Sequence, residues 1–334
     1  MENATLQTLL NTHSGLVTYP HLRRLGYTRD RIEHEVTAGR WQRVLYGVYA
    51  VTTGPLNRQM VLDSALLYGG GGAVLSHGTA ATLWGIQRID ETDPVHITLR
   101  YGRSAVSQAP SRISRTDQPA PFIGELRHPG VVVHRSRALT HIAVEREFPC
   151  TSRADTVLDM AVLEPTPKAA YATLIACATN GGVRPDLLLQ RMQDRKPRRY
   201  IKAIASAIDL LRDGVQSMLE FHYAIDVEKA HGLPRAMRQS PVVVDGRTLY
   251  EDVEYPMTSS QLIVRLDGRL AHSFRDIVFR DRRRENAAEI AGKHSLVFGW
   301  EEVHDQPCAV AAEVRLVLVR GGVDLGPNPC PNCE

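Results

Sequence analysis

The chain of 334 residues is 43% hydrophobic and 23% charged, long enough for two or three domains with cores of their own, which excludes a lone small module and a largely disordered or fibrous protein. Five cysteines, an odd number with Cys150 and Cys177 in apolar surroundings, argue for reduced thiols; with no apolar run of 18 residues and no leader-like start, a cytoplasmic protein with no membrane partner is expected. Net charge is only +3, yet 35 of the 40 basic residues are arginines, the fork-shaped donors that phosphates and guanine edges accept, although a GC-rich genome yields the same bias.

The first elements are short. Leu6 to Leu10 supports a helix, and Thr18 to Gly26 a second, with Thr18 able to cap and Gly26 to turn. Thr28 to Val36 supports a third, capped by Thr28, with Arg29, Arg31 and His34 away from the apolar Ile32 and Val36. Gly39 to Tyr49 then alternates and turns at Gly47, as a two-stranded wing does. This order predicts a winged helix in which Arg29 and Arg31 meet bases, His34 shares their DNA-facing side, and Arg40 and Arg43 hold the backbone; three helices and a hairpin that contact protein instead would read the same.

Basic residues gather in three segments. Residues 14–48 hold six arginines against three acids, residues 100–137 seven arginines against two, and Arg191 to Lys202 six cations against Asp194. One such cluster is ordinarily a solvated face, whereas three in a nearly neutral chain point to phosphate contact. Ser76-His77 carries the residue types of a nucleophile and base, but neighbours on a helix point about 100° apart, so Ser76 is read as a helix cap. Gly69 to Gly72 lacks the Lys-Ser/Thr of a phosphate loop. Ser104 to Pro121 reads as a loop, and residues 152–179 and 198–231 carry helical spacing, a helical connector.

From Pro241 the period changes to two, with strands expected at Val242 to Val244, Leu249 to Tyr255 and Leu262 to Asp267. Asp252 and Glu254 share one face of a strand, Arg265 and Asp267 one face of the next. Brought together, Glu220, Asp252 and Asp267 would offer hard oxygen ligands to Mg²⁺, which activates water against a phosphodiester; His272 follows, and Asp281 to Asn286 opens a basic helix. Quieter roles fit each piece: Ser217 with Glu220 is a capping box, the Asp252 strand a charged edge, Asp267-Gly268 a turn.

The run Ser14-Gly-Leu-Val-Thr18 through Leu25-Gly26, with Gly39-Arg-Trp-Gln-Arg-Val-Leu-Tyr-Gly-Val-Tyr49, resembles the N-terminal winged helix of the AbiEi family of antitoxins. Ala73 to Gly85 and Val131 to Arg137 are similar to the domain behind it in actinobacterial members, so the resemblance spans about the first 160 residues. It implies a transcriptional regulator of a toxin-antitoxin system that binds its own promoter, with a nucleotidyltransferase-like toxin as partner. Ser-x-x-Glu at 217–220, Asp252, Asp267-Gly268, His272 and an Asp-x-x-Arg helix resemble, in that order, relatives of the very-short-patch-repair endonuclease, a PD-(D/E)xK fold, over roughly residues 214–320. Leu296 to Val303, with Gly299-Trp300, looks like the strand and turn closing that fold.

Arg265 departs from that family, which has Glu there. A guanidinium repels a cation and pairs readily with Asp252 or Asp267, so a nuclease fold with weak or no cleavage is expected unless Glu251 or Glu254 replaces the lost ligand. Near the end, Cys308 after His304, then Cys330-Pro-Asn-Cys333, could make a tetrahedral Zn²⁺ site or remain a labile thiol pair. The expected architecture is mixed α/β: a winged helix over 1–55, a middle α/β domain over 56–150, a connector over 151–213, an endonuclease-like domain over 214–322 and a cysteine tail over 323–334. The expected function is DNA binding, with an active Mg²⁺-dependent endonuclease and a toxin-neutralising interaction protein as the alternatives.

Overall fold

The computed structural model describes residues 5–88, 90–112, 126–215, 217–244, 246–267 and 275–333. The chain is a mixed α/β protein that divides into two compact units, Met1–Glu164 with Asn180–Arg199, and Pro165–Thr179 with Tyr200–Glu334.

The first unit begins α1 (Leu6–Thr12), β1 (Leu16–Thr18), α2 (Tyr19–Arg24), α3 (Arg29–Thr37), β2 (Gln42–Leu45) and β3 (Val48–Ala50). Each of the three helices starts behind a threonine in extended backbone whose hydroxyl accepts an amide of the first turn: Thr5 from Thr8, Thr18 from His21, Thr28 from Arg31. That satisfies one otherwise orphaned donor per helix and fixes where each begins. The strands form a sheet in the order β1-β3-β2, β3 pairing antiparallel with both neighbours. Gly47, at φ +69, turns β2 into β3. Val17, Leu22, Ile32, Trp41 and Tyr49 pack as the core beneath these elements.

Next come α4 (Arg58–Gly69), β4 (Val74–Leu75), α5 (His77–Leu83), β5 (Val95–Arg100), β6 (Ser111–Arg112), β7 (Leu126–His128), β8 (Val131–Ser136), α6 (Leu139–Ile142), β9 (Ala143–Val144), β10 (Cys150–Thr151), α7 (Arg153–Leu163), α8 (Pro167–Asn180) and α9 (Pro185–Asp194). Five strands make a mixed sheet in the order β8-β5-β4-β10-β9. β5 and β8 run parallel, His96 beside Val132 and Thr98 beside His134. Strand alternation sends Val95, Ile97, Leu99 and Val131 into the core shared with Met60, Val61 and Ala65 of α4, so His96, Thr98, His134 and Ser136 lie on the opposite face. The glycine run has a packing role at its head: a Cβ on Gly69 would stand 2.7 Å from Ala73 Cβ and 2.8 Å from a Leu99 methyl.

The second unit holds α8, α10 (Ile201–Arg212), α11 (Met218–His222) continuing into a π-helix (Tyr223–Lys229), β11 (Met237–Val244), β12 (Arg247–Pro256), β13 (Gln261–Asp267), α12 (Arg275–Ile290), β14 (His294–Gly299), α13 (Trp300–Asp305) and α14 (Pro307–Arg320). The connector helices are thus shared out, α7 and α9 to one unit, α8 and α10 to the other. Its sheet runs β11-β12-β13-β14, antiparallel until β14, which is parallel to β13. Val253, Tyr255, Leu262 and Val264 face Val310, Val314 and Leu318 of α14 and Tyr223 and Val227 of the π-helix. Two expectations shift: the basic helix begins at Arg275 rather than Asp281, and Gly299-Trp300 opens α13 rather than a turn, with Glu302 accepting the Gly299 amide at 2.6 Å.

Candidate functional site

The second unit gathers four soft ligands. His231 follows the π-helix, Cys308 sits in the first turn of α14, and Cys330 and Cys333 lie in the tail; one ligand atom from each lies within 4.8 Å of the others. Cys308 and Cys330 sulfurs are 4.0 Å apart, far beyond a disulfide bond and close to the roughly 3.8 Å edge of a tetrahedron with metal–sulfur bonds of about 2.3 Å. His231 lies with Nδ1 2.9 Å from the Val227 carbonyl, to which it donates, while its buried Nε2 has no hydrogen-bond partner. An orphaned imidazole nitrogen beside three thiols is what a closed Cys₃His zinc site presents without its ion. The thiols resist joint ionisation: contact with Cys333 pushes Cys308 up to about 11, whereas the Asn332 amide lowers Cys330. The expected cysteines are therefore brought together, but their histidine is His231. His304 instead bonds Asp305 at 2.8 Å and stacks on Trp300.

On β12 and β13 the carboxylates take separate partners. Glu251 accepts both Arg265 Nε at 2.9 Å and Arg265 Nη2 at 3.0 Å, and Arg284 Nη2 at 3.1 Å. Arg265 therefore pairs with Glu251 and not with Asp252 or Asp267 as expected, because the fork needs a carboxylate square to it and Glu251 lies buried beside it. Asp252 turns to the backbone, accepting the Leu266 amide at 2.9 Å just past the last β12–β13 pair, and its burial raises its pKa. Glu254 pairs with Lys293 at 3.2 Å. Glu220 is buried in the first turn of α11, with Gln239 3.5 Å away and Ser217 capping that helix. Among the described residues two groups of His, Cys, Asp or Glu bring their ligand atoms within 4.8 Å, and the set Glu220, Asp252 and Asp267 is neither of them. His272 lies outside the described residues.

In the first unit Arg29, Arg31 and His34 are exposed on α3. Arg31 covers the Tyr27 ring at 4.2 Å. Arg40 and Arg43 are exposed but paired, Arg40 with Glu35 at 2.6 Å and Arg43 with Glu33 at 2.7 Å. The segment Arg191 to Lys202 is partly turned inward: Arg191 bonds the buried Asp155 at 2.7 Å and Arg195 the buried Asp159 at 2.6 Å. Burial outweighs the Arg195 contact and pushes Asp159 up to about 6. Those two arginines hold α9 to α7, a role that linear charge counting misses.

His77, His96 and His134 form the second group of converging ligand atoms. Single histidines on separate elements carry no spacing signal, and only the period-two placement of His96 on β5 and His134 on β8 points to a shared face. No family model and no curated protein matches the chain. Among solved structures, that of the Rv2827c protein from Mycobacterium tuberculosis matches 61% of this chain and 74% of that chain at 14% identity, with a TM-score of 0.38.

Proposed function

We propose that the chain is a DNA-binding protein whose first fifty residues are a winged helix and whose second unit is an endonuclease-like domain that does not cut. The observation that carries the reading is the order α1-β1-α2-α3-β2-β3 closed by a β1-β3-β2 sheet, with Arg29, Arg31 and His34 exposed on the helix that follows the turn. That helix is the one such domains lay in the major groove. Arg40 and Arg43, balanced by Glu35 and Glu33, add less to phosphate binding than their charge suggests.

The loss of cleavage rests on charge. Glu251 and Glu254, the two acids able to stand in for the missing ligand at 265, are held by Arg265 with Arg284 and by Lys293. A Mg²⁺ ion would have to displace cations already bonded there. In the same unit His231 Nε2, Cys308, Cys330 and Cys333 would hold Zn²⁺ as a closed site. Four protein ligands leave no position for water, so the ion would tie the tail to α14 and the end of the π-helix without taking part in chemistry. The resemblance to antitoxins makes promoter DNA and a nucleotidyltransferase-like toxin the partners to assay.

Titration of a labelled duplex by anisotropy, beginning at about 50 mM salt, tests the reading, with affinity expected to fall steeply as salt rises. Supercoiled plasmid with Mg²⁺ or Mn²⁺ is expected to stay intact. Absence of binding at low salt overturns the DNA reading; metal-dependent nicking that disappears in Asp252→Ala overturns the non-cutting reading.

A further inference from the structure

Three histidines of the first unit converge, and two of them, His77 and His134, line a cleft. His96 Nδ1 lies 3.0 Å from His134 Nε2, and the His77 ring stacks on that of His134 with centroids 3.6 Å apart. Three rings in that space cannot all be protonated without strong repulsion, and burial lowers the pKa of each, to about 4 at His134. One ligand atom of each ring lies within 4.8 Å of the other two, and a neutral imidazole has one lone-pair nitrogen to offer there. His77 is held in place from behind: its Nδ1 lies 2.9 Å from the buried Ser76 hydroxyl, and its backbone is left-handed at φ +49. A ring whose Nδ1–H donates to Ser76 keeps its lone pair on Nε2, the way an outer-shell oxygen fixes the tautomer of a metal-bound imidazole. Ser76 therefore does not cap α5, for its hydroxyl takes no amide of that helix.

We propose that His77, His96 and His134 form a metal site for a divalent ion of the zinc class, with a fourth position open to the cleft and suited to an anion. Imidazole nitrogens select zinc-class ions over Mg²⁺ or Ca²⁺, and three protein ligands leave room for one more. His77 and His134 line a cleft of 530 Å³ together with Arg135, Arg137, Lys196 and Arg198, and with Asp159, whose charge Arg195 offsets. Arg135 bonds the Ala105 carbonyl at 2.7 Å, Arg198 bonds the Tyr101 hydroxyl, and Arg137 covers the Tyr101 ring at 5.2 Å. Those acceptors are uncharged, so the positive charge at the mouth is not cancelled by them. An oxyanion of the phosphate class fits an open metal position beneath a ring of guanidinium groups.

Cobalt titration of the full chain after removal of bound metal tests the site, because Co²⁺ on thiolates shows an intense sulfur-to-metal charge-transfer band whereas Co²⁺ on imidazoles shows only weaker d–d bands. Two equivalents are expected to bind per chain, one raising the charge-transfer band and one adding d–d absorption alone. His134→Gln is expected to lose the second and keep the first, and Ser76→Ala to weaken the second by about tenfold or more. Inorganic phosphate is expected to shift the second spectrum and leave the first unchanged, with a weaker effect in Arg137→Ala. Wild-type uptake that ends with the thiolate-bound ion overturns the site even if the variants fail to fold. A second spectrum that phosphate does not move overturns the anion position.

Discussion

Arg265 forks onto Glu251, with Nε 2.9 Å from Oε2 and Nη2 3.0 Å from Oε1, in a pair whose side chains are 9% and 3% exposed. Removing one partner of a buried pair strands the other, but Arg284 still reaches Glu251 at 3.1 Å. Arg265→Leu is therefore expected to lower stability by about 2 kcal/mol, below the 3–5 of a fully orphaned charge, and to lower the melting temperature by several degrees. Adding Glu251→Leu is expected to restore only part of the loss, because it also takes the carboxylate from Arg284. Denaturant unfolding of the two variants and the wild type checks both; a single variant as stable as the wild type would show that the pair is idle.

Local signals were legible in the sequence where they act within one turn or one strand. Thr18, Thr28 and Ser217 cap the helices they precede, and alternation places Val253 and Tyr255 in the core. What could not be read was which of two adjacent acids a cation would choose. Arg265 was expected to take Asp252 or Asp267, yet the Leu266 amide already holds Asp252 and a bulky fork suits Glu251. The metal groups were hidden for a related reason: His231 stands 77 residues from Cys308 and is 73 closer to the chain start than His304, so proximity in sequence favoured the wrong histidine. Ser76 and His77, separated on paper by helix geometry, meet at 2.9 Å because His77 leaves the helical backbone conformation.

Acid weakens the first unit through His128. The Gly130 amide donates to its Nδ1 at 3.0 Å, so the ring's proton sits on Nε2, facing Ser64 Oγ at 3.1 Å. Protonating Nδ1 would set two donors against each other, and burial pushes the pKa down to about 4 from 6.5. A base with a lowered folded-state pKa stabilises fully above 6.5, and that contribution disappears as pH falls toward 4. Relative to His128→Gln, the wild type is expected to lose on the order of 3 kcal/mol across that window. Asp159, raised from 3.8 to about 6, acts with the opposite sign, its contribution fading as pH rises through 6, and it cancels in the comparison. Urea unfolding at several pH values measures the difference; parallel curves would remove His128 from the account.

Zinc should follow His231 and ignore His304. His231→Ala removes the nitrogen that faces the three thiols, so zinc content measured by mass spectrometry is expected to fall by one ion per chain. His304→Ala, which breaks only the contacts with Asp305 and Trp300, is expected to leave it unchanged. Chelation is expected to lower the melting temperature of the wild type by more than that of His231→Ala, because the variant has no ion left to lose at the cysteines. Metal content that falls in His304→Ala instead would move the site.

The arginines of the first unit should differ in their worth to DNA. Arg29 and Arg31 are exposed on α3, while Arg40 and Arg43 are spoken for by Glu35 and Glu33. A phosphate contact by either of the latter must first give up an exposed ion pair, which offsets part of what the contact gains. Arg29→Ala and Arg31→Ala are expected to weaken duplex binding by about 1–3 kcal/mol each if they meet base edges, with selectivity lost at one position. Arg40→Ala and Arg43→Ala are expected to weaken it by less than 1 kcal/mol and to reduce the salt slope by under one unit, whatever the sequence. Adding Glu33→Gln to the wild type frees Arg43 and is expected to tighten binding. Equal losses at all four arginines would mean that α3 does not enter the groove.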